Sequence, residues 1–148
     1  MPELPEVEVI LRLLRRRVQD STISHFHIKR SDIIRIGLSS YQWYIGSRIS
    51  GLERRGKSVI FTCEKGQDTR FLLAELGMTG LFLFQSASTG YEKHIHITFM
   101  LKDAKEPALH YWNPRRFGRI YLLEAKLLQQ FTQRRFGADP LSMTHQDF

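Results

Sequence analysis

The feature that most constrains the fold is a succession of short β-type segments that fills the middle of the chain. After Asp20, runs rich in Ile, Val, Phe, Tyr and Thr are separated by turn signals such as Gly56, Gly77 and Asn113-Pro114. The predicted strands cover residues 22–28, 48–53, 58–63, 71–76, 81–84, 95–101, 108–112 and 119–122. Connections this short favour antiparallel pairing, so we expect a β-sandwich or a β-barrel.

A helix is predicted on each side of this β-rich region. Between residues 3 and 18, apolar side chains recur every three or four positions, which is the spacing of one face of an amphipathic helix. These side chains belong to Leu4, Val7, Leu11, Leu14 and Val18. A second helix is predicted for residues 124–135, before Gly137 and Pro140. The expected class is therefore mostly β with flanking helices (α+β), with one helix at the amino terminus and one near the carboxyl terminus.

The charge composition of the chain indicates what kind of partner it is expected to bind. The 148 residues carry 22 Lys and Arg against 15 Asp and Glu, a formal net charge of +7. An excess of positive charge in a globular chain favours a polyanion such as nucleic acid. The single cysteine, Cys63, excludes an internal disulfide framework and a four-cysteine zinc module within these residues. The chain contains neither an apolar run long enough for a membrane span nor a secretion signal, so we expect a cytoplasmic location.

Pro2 is the first candidate for chemistry. Removal of Met1 would leave proline as the terminal residue, with a free secondary amine. An α-amino group has a reference pKa of about 7.7–8.0, so part of it is an unprotonated nucleophile at neutral pH. Glu3 and Glu6 place carboxylates nearby for proton transfer. The alternative is structural, because proline and glutamate are also common in the first turn of a helix.

Three further motifs carry side chains suited to DNA contact. Arg54-Arg55-Gly56-Lys57 is a basic turn between strands, which suits phosphate contacts but is also typical of a solvated hairpin tip. Met78, between two glycines in residues 76–80, is either a wedge that fills a gap in a base stack or a core residue. Arg115, Arg116 and Phe117 follow Asn113-Pro114 in residues 113–118, and either contact unpaired bases or form a plain basic turn around a buried ring.

Two histidine pairs have the spacing of one strand face. They are His25 with His27 and His94 with His96. Zinc requires three or four ligands, and the sequence offers no third ligand near either pair. We therefore predict histidines that lie at the surface or face phosphate, and we expect no metal site.

Taken together, the opening residues 1–8, the basic turn and the two loops resemble the formamidopyrimidine-DNA glycosylase family in both content and order. The resemblance extends through residues 137–141, which look like that family's exit from its N-terminal domain. It implies a two-layer antiparallel β-sandwich flanked by helices. It also implies a base-excision enzyme that removes oxidised purines from duplex DNA and cleaves the strand at the abasic site through a proline iminium.

The resemblance also assigns roles to residues. Pro2 would be the nucleophile, Glu3 the acid and base that helps to open the sugar, and Lys57 a phosphate-binding residue that assists catalysis electrostatically. Met78, Arg115 and Phe117 would fill the gap left by the extruded base. The expected nucleic-acid-binding residues are Arg55, Lys57, Met78, His94, Arg115, Arg116 and Phe117.

The chain departs from the family pattern in three respects. Glu75 stands where the family commonly has His, and a carboxylate there would repel the DNA backbone. Asn113 replaces the usual Asp. We expect the family's second domain, a helix-two-turn-helix module with a zinc finger, to lie outside residues 1–148, so no cofactor is expected in this chain.

Because the second domain is expected to lie outside residues 1–148, the sequence leaves open how much activity these residues have by themselves. We expect weak glycosylase activity or none, and a residual lyase activity on abasic sites. The chain is expected to be a monomer with damaged double-stranded DNA as its partner. The alternatives are a non-catalytic DNA-binding module that keeps the fold and the basic face, and, less favoured by the four ordered motifs, a basic RNA-binding β-domain.

Overall fold

The computed structural model describes residues 4–76, 81–84, 92–113 and 118–136. Within these ranges, two α-helices flank nine β-strands. The helices are α1 (Leu4–Val18) and α2 (Ala125–Phe136). The strands are β1 (Thr22–Ile28), β2 (Ile34–Ile36), β3 (Arg48–Arg55), β4 (Ser58–Lys65), β5 (Asp68–Glu75), β6 (Leu81–Leu83), β7 (Ile95–Lys102), β8 (Ala108–Trp112) and β9 (Arg119–Glu124). The mostly β prediction is confirmed, and β1 and β8 have the predicted bounds.

Strand β2 is the one described strand that the sequence analysis missed, and the short 3-10 helices were not predicted either. It has three residues and lies between two 3-10 helices, Ser31–Ile33 and Leu38–Tyr44. It pairs in parallel with β9, whereas the other paired strands of the described chain are antiparallel. A strand this short has too few residues to show an alternating pattern, so only its pairing with a distant strand identifies it.

The strands form one hydrogen-bonded sheet that folds over into two layers. Their order is β2-β9-β5-β4-β3-β1-β7-β8-β6. The seam between β3 and β1 has one register pair, Thr22 with Arg48. Phe61 of β4 and Phe82 of β6 are far apart in that order, yet their ring centroids lie 5.5 Å apart. The layer of β2, β9, β5, β4 and β3 therefore faces the layer of β1, β7, β8 and β6 across a shared core, as the predicted sandwich requires.

Helix α1 joins the two layers at their open side. Its predicted apolar face is buried at Val7, Leu11, Leu14 and Val18. The helix packs against β3 and β4 of the first layer. Its last turn reaches the second layer, where Arg17 lies 5.2 Å above the ring of Phe84. The helix therefore completes the core that the two layers share.

Helix α2 covers the outer face of the first layer. A second apolar cluster forms there from Ile60, Leu73, Tyr121 and Leu123, with Ile36, Phe71, Leu128 and Phe131 packed against it. Strands β4, β5 and β9 are thus covered on both faces, which explains why they read as nearly continuous apolar runs. No helix among the described residues is long and apolar enough to span a membrane.

Candidate nucleic-acid interface at one end of the sandwich

Several strand ends meet at one end of the sandwich. The Leu76 N–H donates to the Lys57 carbonyl, at 3.4 Å, which joins the end of β5 to the β3–β4 turn. The Asn113 N–H donates to the His94 carbonyl, at 3.0 Å, which joins the end of β8 to the start of β7. Arg119 at the start of β9 pairs with Glu75. We call this region the site end, defined by Lys57, Glu75, His94, Asn113 and Arg119.

The first turns of α1 also lie at the site end, because an ion pair joins them to β3. Arg54 Nε lies 2.5 Å from Glu8 Oε1. Leu52, which shares a face of β3 with Arg54, is buried in the core beneath the helix. The Arg54 side chain is only 7% exposed. The expectation that the whole basic turn presents its cations to solvent is therefore wrong for Arg54, because this guanidinium lies under α1.

The turn itself brings Lys57 to the site end. Arg55 pairs with Ser58, so Gly56 and Lys57 form a two-residue connection between β3 and β4. Gly56 has a φ of +58°, a left-handed conformation that favours glycine. Lys57 is half-buried, and Arg55 lies on the face of β3 opposite to Arg54, with Nε 4.0 Å from Glu53 Oε1. Lys57 and Arg55 are thus the predicted site residues that the turn places together.

The first layer carries a row of polar residues at the site end that sequence reasoning did not find. Arg55, Ser58, Glu75 and Arg119 are successive register partners on β3, β4, β5 and β9. Register partners lie side by side on one face of a sheet, so the Glu75 carboxylate lies next to Arg119. The row contains two arginines and one glutamate, and Glu53 lies 4.0 Å from Arg55 on the same face of β3. The sequence contains no signal for this row, because strand register depends on the folded sheet.

The histidines are distributed differently from the prediction. His94 is the last residue of a 3-10 helix, Glu92–His94, and its ring centroid lies 6.4 Å from that of Trp112 at the site end. His96 is buried, so the predicted surface position is wrong for it, and the two residues do not share a strand face. His25 and His27 are exposed on β1, as predicted. The described residues contain no group of three or more His, Cys, Asp or Glu side chains that could hold a metal ion.

The Tyr111 side chain contacts two segments at the site end, the end of β5 and Gly118. Its hydroxyl donates a hydrogen bond to the Glu75 carbonyl, at the end of β5. The ring lies so close to Gly118 that an added Cβ there would come within 2.5 Å of the hydroxyl oxygen and 2.6 Å of a ring carbon. Burial raises the pKa of Tyr111 well above its ordinary value, which keeps the hydroxyl protonated as a donor. Glycine at position 118 is therefore required by this contact.

The remaining predicted site residues lie outside the described residues. They are Pro2, Glu3, Met78, Arg115, Arg116 and Phe117. They lie before Leu4, between Leu76 and Leu81, or between Asn113 and Gly118. Of the predicted set, the structure therefore places Lys57, Arg55 and His94, and it brings all three to the site end.

The folded-over β-sandwich, bridged by an amino-terminal helix and with Lys57, Arg55 and Arg119 at one end, defines a class of domain that is found in DNA-bound proteins of known structure. A crystal structure of the Lactococcus lactis Fpg with DNA that contains an abasic site superposes with a TM-score of 0.77 and 28% sequence identity. The superposition covers 90% of this chain and 48% of that one. A complex of an inhibited LlFpg with DNA that contains N7-benzyl-Fapy-dG matches with the same TM-score, identity and coverage.

The chain belongs to the formamidopyrimidine-DNA glycosylase family. The family's N-terminal domain model matches residues 1–120. A formamidopyrimidine-DNA glycosylase from an Exiguobacterium species is 38% identical over 125 residues, which are 82% of this chain and 43% of the relative. The Syntrophomonas wolfei protein of the same name is 37% identical over 143 residues, 96% of this chain and 50% of the relative. The chain thus spans about half the length of these relatives.

Proposed function

We propose that the chain is the catalytic N-terminal domain of a base-excision enzyme that acts on oxidised purines and on abasic sites in duplex DNA. The observation that carries the proposal is the meeting of the first turns of α1 with Lys57 at one end of the sandwich. This arrangement suits a terminal amine and a phosphate-binding cation that act on the same nucleotide. The family match over residues 1–120 includes Pro2 and Glu3 and supports the same function.

In this proposal, the Pro2 amine attacks the anomeric carbon of the damaged nucleotide. The new nitrogen–carbon bond forms as the bond from the sugar to the base breaks, and the base leaves with its bonding electrons and gains a proton. Glu3 supplies and accepts protons while the sugar ring opens to an iminium. Successive β- and δ-eliminations then break the carbon–oxygen bonds to the 3′ and 5′ phosphates. No oxidant or reductant is required.

The DNA-binding residues have separate tasks in this scheme. Lys57 binds the phosphate next to the lesion and stabilises the charge that develops there, with Arg55 and His94 contacting the backbone nearby. Met78, Arg115 and Phe117 occupy the gap left by the extruded nucleotide, and Arg116 contacts the strand. The partner is damaged double-stranded DNA, bound by a monomer in the cytoplasm at the nucleoid, and the domain itself requires no cofactor.

The activity that we assign to this chain by itself is the lyase step. The chain spans about half the length of its relatives, so a second domain of the family would supply the rest of the lesion pocket. An abasic site requires no recognition or expulsion of a base. Pro2, Glu3 and Lys57 are therefore sufficient for iminium formation, whereas excision of an intact damaged base is weak or lost.

Borohydride trapping on a duplex with one abasic site tests the proposal. Borohydride reduces the iminium to a stable amine, so an active chain forms a covalent protein–DNA adduct. We expect the adduct with the native chain and none with Pro2→Gly or with a chain whose amino terminus is blocked. Intact-mass measurement of each preparation checks that Met1 has been removed. Salt-sensitive DNA binding without any Pro2-dependent adduct would instead support the non-catalytic DNA-binding module.

A further inference from the structure

Arg54 differs from other arginines of the described chain because its guanidinium is buried. Its side chain is 7% exposed, compared with 46% for Arg48 and 41% for Arg17. A guanidinium removed from water is stable only when its N–H groups are hydrogen-bonded to an anion or to carbonyl oxygens. The partners of Arg54 therefore indicate which parts of the molecule it holds together.

The two partners belong to different elements of the site end. Arg54 Nε donates to Glu8 Oε1 on α1, at 2.5 Å. Arg54 Nη1 donates to the carbonyl of Gly56, at 2.9 Å, in the turn that presents Lys57. A planar guanidinium holds its donors in a fixed geometry, so this one group joins the start of α1 to the turn. Glu8 is four residues after Leu4, about 6 Å along the helix axis.

A second arginine holds the same helix to the same strand without involving the turn. Arg15 Nε and Nη2 donate to the Leu52 carbonyl, at 3.1 and 2.8 Å. Arg15 is seven residues after Glu8, two helical turns along the same side of α1. The two arginines thus separate two tasks: Arg15 fastens the helix to β3, whereas Arg54 also contacts the backbone next to Lys57.

We propose that Arg54, paired with Glu8, is a positioning residue that sets the Lys57 turn against the amino-terminal end of α1. The inference rests on the proposed function, in which the Pro2 amine and Lys57 act on one nucleotide. Reacting groups must approach to about 3–3.5 Å, and a displacement of about 1 Å costs up to about a hundredfold in rate. The Arg54 guanidinium is covered by α1 and acts through Lys57 and the helix. Its loss therefore lowers the rate of reaction on bound DNA more than the affinity for DNA.

The test compares Arg54→Gln, Glu8→Gln, the double variant and Arg15→Gln as the matched control. Three quantities are measured on the full chain: the borohydride-trapping rate at saturating abasic duplex, the Kd for that duplex, and the thermal midpoint. We expect Arg54→Gln and Glu8→Gln each to slow trapping about tenfold or more, with Kd within about threefold. The double variant slows trapping no more than the slower single variant, because one linkage is lost.

Arg15→Gln shows whether the effect is merely structural. This control lowers the thermal midpoint but leaves the trapping rate within about twofold, because its hydrogen bonds end on Leu52. Arg54→Lys keeps the charge and one hydrogen bond, so it restores part of the rate and supplies a folded variant if Arg54→Gln does not fold.

Two results would overturn the inference. One is trapping by Arg54→Gln at the native rate, and the other is equal slowing by Arg54→Gln and Arg15→Gln when the folded fractions are equal. Additive losses in the double variant would overturn the part assigned to Glu8. A native chain that forms no Pro2-dependent adduct would overturn the proposed function itself, and the native sample alone reveals that failure.

Discussion

The two ends of the sandwich are both rich in cations, yet they use them differently. At the far end, defined by Asp20, Arg48, Glu64, Lys65 and Glu106, positive side chains are engaged by local groups. Arg48 bridges Asp20 at 2.8 Å and Glu64 at 3.1 Å, and Lys65 Nζ donates to two backbone carbonyls. At the site end, Arg54 is buried under α1, the Arg55–Glu53 pair is longer at 4.0 Å, and Arg119 is the register partner of Glu75.

This contrast shows that net charge alone does not locate a DNA interface. The chain has a formal net charge of +7, but cations already bound to carboxylates release fewer counterions when they meet phosphate. Under the proposed function, we therefore expect the far end to contribute mainly to the fold and the salt-sensitive part of DNA binding to belong to the site end. Matched substitutions at the two ends test this division, because each pair changes the same residue type in different surroundings.

The largest expected effect is the loss of stability caused by replacing the glycine at position 118 with alanine. The added Cβ would lie 2.5 Å from the Tyr111 hydroxyl oxygen, and the Tyr111 side chain is fully buried. We expect Gly118→Ala to lower the free energy of unfolding by about 2–3 kcal/mol. At the far end, Gly66 has a φ of +63° with nothing within 4 Å of its Cβ position, so Gly66→Ala costs about 1 kcal/mol from backbone strain alone.

Urea unfolding of the two glycine variants measures the difference. Equal losses of stability would show that the Tyr111 contact imposes no more constraint than an ordinary turn.

The second prediction concerns DNA affinity and compares two lysine variants, one at each end of the sandwich. Lys57→Ala removes a cation at the site end, so we expect the Kd for abasic duplex to rise about tenfold, or about 1.4 kcal/mol. We also expect the slope of log affinity against log salt concentration to fall by the amount that corresponds to about one phosphate contact. Lys65→Ala removes a cation at the far end, away from the proposed DNA-binding residues, where its Nζ donates to the carbonyls of Trp43 and Ile45. We therefore expect Kd to change by less than about twofold.

Fluorescence anisotropy at several salt concentrations gives both Kd and its salt dependence. A weaker affinity of the same size in both lysine variants would mean that DNA is bound by the overall charge, and the division between the two ends would be wrong.

The smallest expected effect is also on DNA affinity, and the prediction compares two glutamate variants, one at each end of the sandwich. Glu75→Gln removes the carboxylate between Ser58 and Arg119, so we expect DNA to bind about threefold more tightly, by about 0.7 kcal/mol. Glu64→Gln removes a partner of Arg48 at the far end and leaves Kd unchanged, with a loss of stability below about 1 kcal/mol.

The same anisotropy titrations at low salt distinguish the glutamates. Unchanged or weaker binding by Glu75→Gln would show that Arg119 already neutralises the carboxylate towards DNA.

Much of the local structure could be predicted from the sequence, because it depends on neighbours along the chain. The spacing of apolar residues predicted α1 and its buried face, and eight of the nine described strands were predicted near their observed positions. The basic turn at Gly56 was also predicted, since a positive φ between two strands favours glycine. The order of four motifs was enough to indicate the family, which the match over residues 1–120 confirms.

Other features depended on contacts between distant parts of the chain. The burial of Arg54 requires α1 to lie over β3, and the burial of His96 depends on how β7 sits in its layer. Likewise, Glu75 and Arg119 are 44 positions apart and meet only through the pairing of β5 with β9. Residue type and spacing determine which elements form, whereas the tertiary structure decides which charges are buried, paired or exposed at the surface. The reason is that burial and pairing depend on the side chains that packing brings together across the fold.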